Sequence, residues 1–159
     1  MRNLKSEGYT DSGGYIPGET ANFHIFQELP DDPEETVWPD NVLRVGINSR
    51  TGYGGFIWYV TVSRWEAAIE KPPSGYWVSE NPSPPNFDPA VTADPGFPIN
   101  FAPRSTVPLQ QVRSTLEEFC FTGTGDRPEG IAWISSDGNG RILAPQGEDA
   151  ESDSTEYPF

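Results

Sequence analysis

TVPLQQVRSTLEEFCFTGTGDRPEGIAW, residues 106–133, decides the fold. Leu109, Val112, Leu116, Phe119 and Cys120 recur at helical spacing, while Gln110, Gln111, Arg113, Ser114, Glu117 and Glu118 fall opposite them. That spacing predicts an amphipathic helix over Pro108–Thr122 with one side to bury, Cys120 included. Pro108 suits a first helical turn, where a missing N–H costs nothing, and Thr122-Gly123-Thr124-Gly125 supplies a left-handed exit before Pro128. After the Arg127-Pro128 turn, GIAWI reads as a strand over residues 130–134.

Upstream of the helix, the runs 42–48 (VLRVGIN) and 54–62 (GGFIWYVTV) are rich in branched and aromatic residues, and SRTGY joins them. A β-hairpin is the natural reading. Its glycines lack the spacing of a nucleotide-binding fingerprint and no Lys-Ser/Thr follows, so TGYGG reads as a turn with close backbone approach. Further short strands are predicted at 21–26, 76–78 and 141–143, and a turn or two of helix at 63–71. An Asp-Gly-Asn-Gly turn is predicted at 137–140. The proline-studded stretch 80–103 cannot pair as a central strand. It is expected as an ordered surface loop, with Phe87, Phe97 and Phe101 pinned to the core and part of 95–101 extended along the sheet. Residues 1–18 read as a loose arm or a first edge strand, and 146–159 as a flexible acidic tail.

These elements predict one α+β domain over residues 1–159: an antiparallel sheet of about five to seven strands with one main helix on a face. The chain of 159 residues carries 24 Asp+Glu against 10 Lys+Arg, a formal net charge of −14. That balance disfavours direct binding to nucleic acid or to an anionic membrane, and favours fast encounter with a basic partner. The N-terminal segment lacks the apolar core of a signal peptide and no run reaches membrane-spanning length, which predicts a cytoplasmic protein. With one cysteine, Cys120, no internal disulfide can form.

The inventory gives catalysis little to work with. His24 is the only histidine, and inside a strand it reads as a packing or hydrogen-bonded residue. No metal-ligand spacing, nucleophile elbow or P-loop is present, so no cofactor and no metal are expected. The Asp/Glu pairs are those that such an acidic composition yields by chance, and a glycosidase pair cannot be recognised among them. Asp31, Asp32, Glu34 and Glu35 precede Trp38 in a segment that two prolines rigidify. This reads either as a solvated loop with Trp38 folded onto the core, or as an interface with an aromatic anchor in a polar rim.

The 106–133 segment resembles the C-terminal signature of the deaminase-associated immunity proteins of bacterial polymorphic toxin systems, an α+β family. That signature is a Pro-led helix ending in Phe, then Gly, Arg-Pro and Trp, here Pro108, Val112, Phe119, Gly123, Arg127, Pro128 and Trp133. The hairpin VLRVGINSRTGYGGFIWYV resembles the family's earlier motif. The first forty residues show no clear helix of the kind associated with the family, and the proline-rich loop is long. The resemblance implies a non-enzymatic protein that binds and neutralises a cognate toxin, commonly a nucleic-acid deaminase with a basic groove, by covering that groove or the active-site mouth. On that reading Arg127 and Trp133 are structural, and partner contacts are expected from Asp31, Asp32, Glu34, Glu35, Trp38 and, secondarily, Tyr53 and the acidic tail. The rival reading is an aromatic-rich β module that stacks carbohydrate or peptide on exposed Trp and Tyr.

Overall fold

The computed structural model describes residues 8–9, 15–16, 19–26, 38–67, 75–96 and 99–143. Its centre is the hairpin of β4 (Asn41–Asn48) and β5 (Tyr53–Val60), paired in continuous register from Asn41 opposite Val60 to Asn48 opposite Tyr53. Before it come β1 (Gly8–Tyr9) and β2 (Tyr15–Ile16), which pair with each other, and β3 (Thr20–Phe23), which pairs with β4. After it come the short helix α1 (Val62–Ala67) and β6 (Tyr76–Glu80). Then follow β7 (Thr92–Asp94), β8 (Ile99–Asn100) and a 3₁₀ turn over Pro103–Ser105. The chain closes with β9 (Thr106–Pro108), α2 (Leu109–Thr122) and β10 (Ala132–Ser136).

Among the described residues every pairing is antiparallel. The main sheet has six strands in the order β10-β6-β5-β4-β3, with β9 also on β5. Strands β6 and β9 share one edge of β5: β6 pairs with Ile57–Tyr59 and β9 with Tyr53–Gly55. Where β6 leaves, its own side chains replace the ladder. The Ser79 hydroxyl accepts from the Phe56 N–H at 2.9 Å and donates to the Ser105 carbonyl at 2.6 Å. Asn81 does the same for the next turn, donating from its side chain to the Thr106 carbonyl at 2.8 Å. An α+β domain with an antiparallel sheet and one main helix is what the sequence predicts.

Both faces of the sheet are covered. On one, Leu43, Val45, Phe56 and Val107 meet Val112 and Phe119 of α2 in a dry cluster. On the other, Ile57 and Val78 meet Val91, Ala93 and Phe101. The proline-rich loop therefore supplies the second layer, through the small β7–β8 hairpin. Gly46 and Gly55 sit opposite each other in the register on that face. A Cβ on Gly55 would lie 2.9 Å from the Phe101 ring, and one on Gly46 would meet the Thr92 carbonyl oxygen. The glycines leave the flat spot on which the loop lies, which is the close approach expected of TGYGG.

Several boundaries differ from the sequence expectation. Helix α2 starts at Leu109, and Pro108 is its N-cap with extended backbone, φ −57° and ψ 147°. Thr106 and Val107 pair with β5, so Pro108 closes a strand that the helical periodicity hid. The Leu109 N–H donates to the Gly52 carbonyl at 3.0 Å, satisfying one of the helix's open donors from the hairpin turn. Gly123 ends the helix in the left-handed conformation, φ 66°. Cys120 is exposed rather than buried. The buried residues of the helix are Val112, Thr115 and Phe119, and Cys120 lies about 100° round the helix from Phe119.

Strand β3 stops at Phe23, not at Phe26, because the Asn41 carboxamide takes over Ile25. It accepts from the Ile25 N–H at 3.0 Å and donates to the Ile25 carbonyl at 2.7 Å. β10 lies two residues later than GIAWI suggests. The stretch 141–143 makes a single bridge, Ile142 to Ser136, in place of a strand. Phe101 is buried as expected, whereas Phe87 is exposed and meets Tyr53 edge-on at 5.8 Å. Phe97, the acidic segment 31–35 and the tail lie outside the described residues.

Candidate functional site

The signature residues assemble over the helix-covered face of the sheet. Pro108 caps the start of α2, Phe119 is fully buried under it and Gly123 ends it. The chain then returns across three tryptophans. The Trp58 indole donates to the Gly125 carbonyl at 3.2 Å, and the Trp133 indole donates to the Pro128 carbonyl at 2.7 Å. The Arg127 guanidinium carbon lies 3.9 Å from the centroid of the Trp77 ring, a stacked cation–π contact. Trp133 also packs against Phe56, with ring centroids 6.3 Å apart. Glu118 fixes the far side of the loop, its carboxylate accepting from the N–H groups of Glu129 at 2.6 Å and Gly130 at 3.0 Å. Each of these contacts is made within the chain.

The two expected aromatic contacts part company. Trp38 stands 81% exposed just before β4, while Tyr53 begins β5 at the turn end of the hairpin. An eight-residue strand separates the two ends, roughly 25 Å at about 3.3 Å per residue. Trp38 and Tyr53 therefore belong to opposite ends of the sheet. Tyr53 is half-buried, packed on Phe87 and on the cluster under the β7–β8 hairpin. Of the two alternatives for Trp38, the structure gives the exposed one.

Two residues after Trp38, Asp40 enters an ion-pair node that the sequence does not announce. Arg64 of α1 lies 3.0 Å from Asp40 and 2.6 Å from Asp126, and it donates to the Thr124 carbonyl at 3.2 Å. One guanidinium thus ties the start of β4, α1 and the loop after α2. The Thr61 N–H donates to the Asp40 carbonyl at 2.9 Å, which closes the same corner. His24 joins it from β3's exit, with Nδ1 3.1 Å from the Asn41 carbonyl oxygen, a contact that calls for the Nδ1–H tautomer. The histidine is a hydrogen-bonded residue.

The remaining tryptophans are half-buried, so Trp38 alone of the five presents an exposed indole. Among the described residues no group of three or more His, Cys, Asp or Glu is placed to hold a metal ion. No helix among them is long and apolar enough to cross a membrane. Arg113 pairs with Glu117 at 2.8 Å on the outer face of α2, and that carboxylate raises the guanidinium's pKa further above its ordinary value.

No curated protein and no solved structure gives a significant match to the chain. A family model described as Immunity protein Imm1 matches residues 18–135, from two residues before β3 to within β10. That span covers the central hairpin, the helix and the Arg127-Pro128 to Trp133 loop, and by it the chain belongs to the Imm1 family of immunity proteins.

Proposed function

We propose that this immunity protein neutralises a nucleic-acid deaminase toxin by covering the basic groove through which that toxin holds its substrate. Immunity proteins act on a cognate toxin, so the role of the chain is binding rather than catalysis. The observation that carries the finer reading is the formal net charge of −14 on 159 residues. An enzyme that works on DNA or RNA must present cationic groups to phosphates, and an acidic protein competes for those groups. The contacts assigned to this role are Trp38 and, from their place in the sequence, Asp31, Asp32, Glu34 and Glu35. Tyr53, at the far end of the hairpin, would take part only if the toxin reaches along the sheet.

Co-expression with the toxin encoded beside it, followed by titration of the purified complex with single-stranded nucleic acid, tests the proposal. Protection of the cell is expected, with an affinity of about nanomolar or tighter and an association rate that falls as salt rises. Nucleic acid is expected to compete with the protein for the toxin. Absence of both protection and a complex would sink the reading. A complex that nucleic acid leaves intact would remove the groove from it.

A further inference from the structure

Six large apolar side chains are exposed among the described residues: Phe26, Trp38, Val62, Phe87, Phe121 and Leu143. The first three and Phe121 all belong to segments joined at Asp40 and Asn41. Phe26 follows Ile25, whose backbone is held by the Asn41 carboxamide. Val62 follows Thr61, which bonds the Asp40 carbonyl. Phe121 lies in the last turn of α2, just before the loop in which Thr124 and Asp126 meet Arg64 and Gly125 packs on Asn41. Phe121 is 88% exposed and Val62 69%. Side chains of this kind cost free energy in water and contribute nothing to the core, so their concentration at one end marks a surface that another molecule covers.

The frame beneath them is rigid. Four segments are tied by the Asp40–Arg64–Asp126 pairs, by both hydrogen-bonding ends of Asn41 and by the Trp58 indole on Gly125. A partner docking there orders little further, which lowers the entropic cost of association. The charge at the corner is also acidic on balance. Among the described residues Asp40, Asp126 and Glu66 stand there against Arg64 and Arg127, and Asp40 and Asp126, 47% and 71% exposed, both pair with Arg64. Aromatic and aliphatic anchors within an acidic rim complement an apolar recess bordered by arginine or lysine.

We infer that this end of the sheet, with Trp38 as anchor and Val62 and Phe121 at the same end, is the surface that docks on the toxin. It fits a toxin face with an apolar recess for the indole and basic side chains opposite Asp40 and Asp126. The assignment rests on the reading that the chain binds a toxin, and it does not depend on that toxin being a deaminase.

Binding of the toxin domain encoded beside it is measured with Trp38→Ala, Phe121→Ala and Asp126→Asn. Trp38→Ala is expected to weaken binding at least about 30-fold and Phe121→Ala several-fold. Asp126→Asn lowers the association rate and flattens its dependence on salt. Phe87→Ala and Leu143→Ala, exposed elsewhere, should stay within about 2-fold of the unmodified protein. Amide hydrogen exchange on the unmodified complex reads the same surface without a substitution, with protection expected over residues 38–41, 61–64 and 121–126. Wild-type binding by Trp38→Ala and Phe121→Ala, or protection confined to the turn at 48–53, overturns this surface and leaves toxin binding intact. Failure of the unmodified protein to bind the toxin overturns both readings together.

Discussion

The indole N–H of Trp133 donates to the carbonyl of Pro128 at 2.7 Å, closing the Arg-Pro turn onto the strand that follows it. Pro128 is buried, so its carbonyl has no ready access to water if the donor is removed. Trp133→Phe keeps a ring against Phe56 but strands that oxygen, and a loss of about 1–2 kcal/mol is expected. Trp133→Ala removes the ring as well, for a loss of about 3 kcal/mol. Urea unfolding should show a lower midpoint with an unchanged slope for Trp133→Phe. An unchanged midpoint would mean that the hydrogen bond does not hold the turn.

Asn41 is fully buried and serves as an internal cap for β3. Its carboxamide meets both backbone groups of Ile25 and lies against Gly125. Asn41→Ala leaves an N–H and a carbonyl without their partners and opens a void beneath the loop. A loss of about 2–4 kcal/mol is expected, with early hydrogen exchange of the Ile25 amide. Asn41→Leu fills the void but not the polar groups, and should recover only part of the loss. Recovery to wild-type stability by Asn41→Leu would show that packing, not hydrogen bonding, fixes residue 41.

Gly55 and Phe101 are coupled across the two layers of the second face. With a Cβ at Gly55 only 2.9 Å from the ring, Gly55→Ala forces the β7–β8 segment away and should cost about 2–3 kcal/mol. Phe101→Leu, which shortens the intruding group, should cost about 1 kcal/mol alone. Together the two changes should cost at least about 1 kcal/mol less than their sum. Strict additivity in chemical denaturation would separate the glycine from the loop.

The periodic elements were legible because periodicity reports burial. The hairpin, the body of α2 and its glycine exit follow from alternation, from the Leu109–Val112–Leu116–Phe119 stripe and from a residue tolerant of positive φ. The tertiary substitutions for backbone pairing were not. Ser79, Asn81 and Asn41 each replace a ladder bond with a side chain, and nothing local distinguishes them from solvent-facing polar residues. Glu118 reads as half of a chance acid pair on the polar face of α2, yet it holds two N–H groups of the loop eleven and twelve residues on. The sequence left Trp38 between an exposed anchor and a ring folded onto the core, and the structure exposes it. An aromatic after an acidic stretch suggests an interface, but Val62, Phe121 and the Arg64 node come from other elements, and only folding brings them to that corner.

Cys120 shows how narrow the buried stripe of α2 is. Phe119 is fully buried, and the next residue turns about 100° away from the sheet, which leaves the thiol exposed. The native protein should therefore react stoichiometrically with a maleimide, at a rate close to that of the protein unfolded in urea. Cys120→Ser removes no packed surface and should change stability by less than about 0.5 kcal/mol. Phe119→Ser, one position earlier, is expected to cost more than about 3 kcal/mol, because it empties a core site and buries a hydroxyl. Reaction of Cys120 only after denaturation, or a large loss on Cys120→Ser, would require α2 to be rotated by about one residue from the register in which Val112, Thr115 and Phe119 face the sheet.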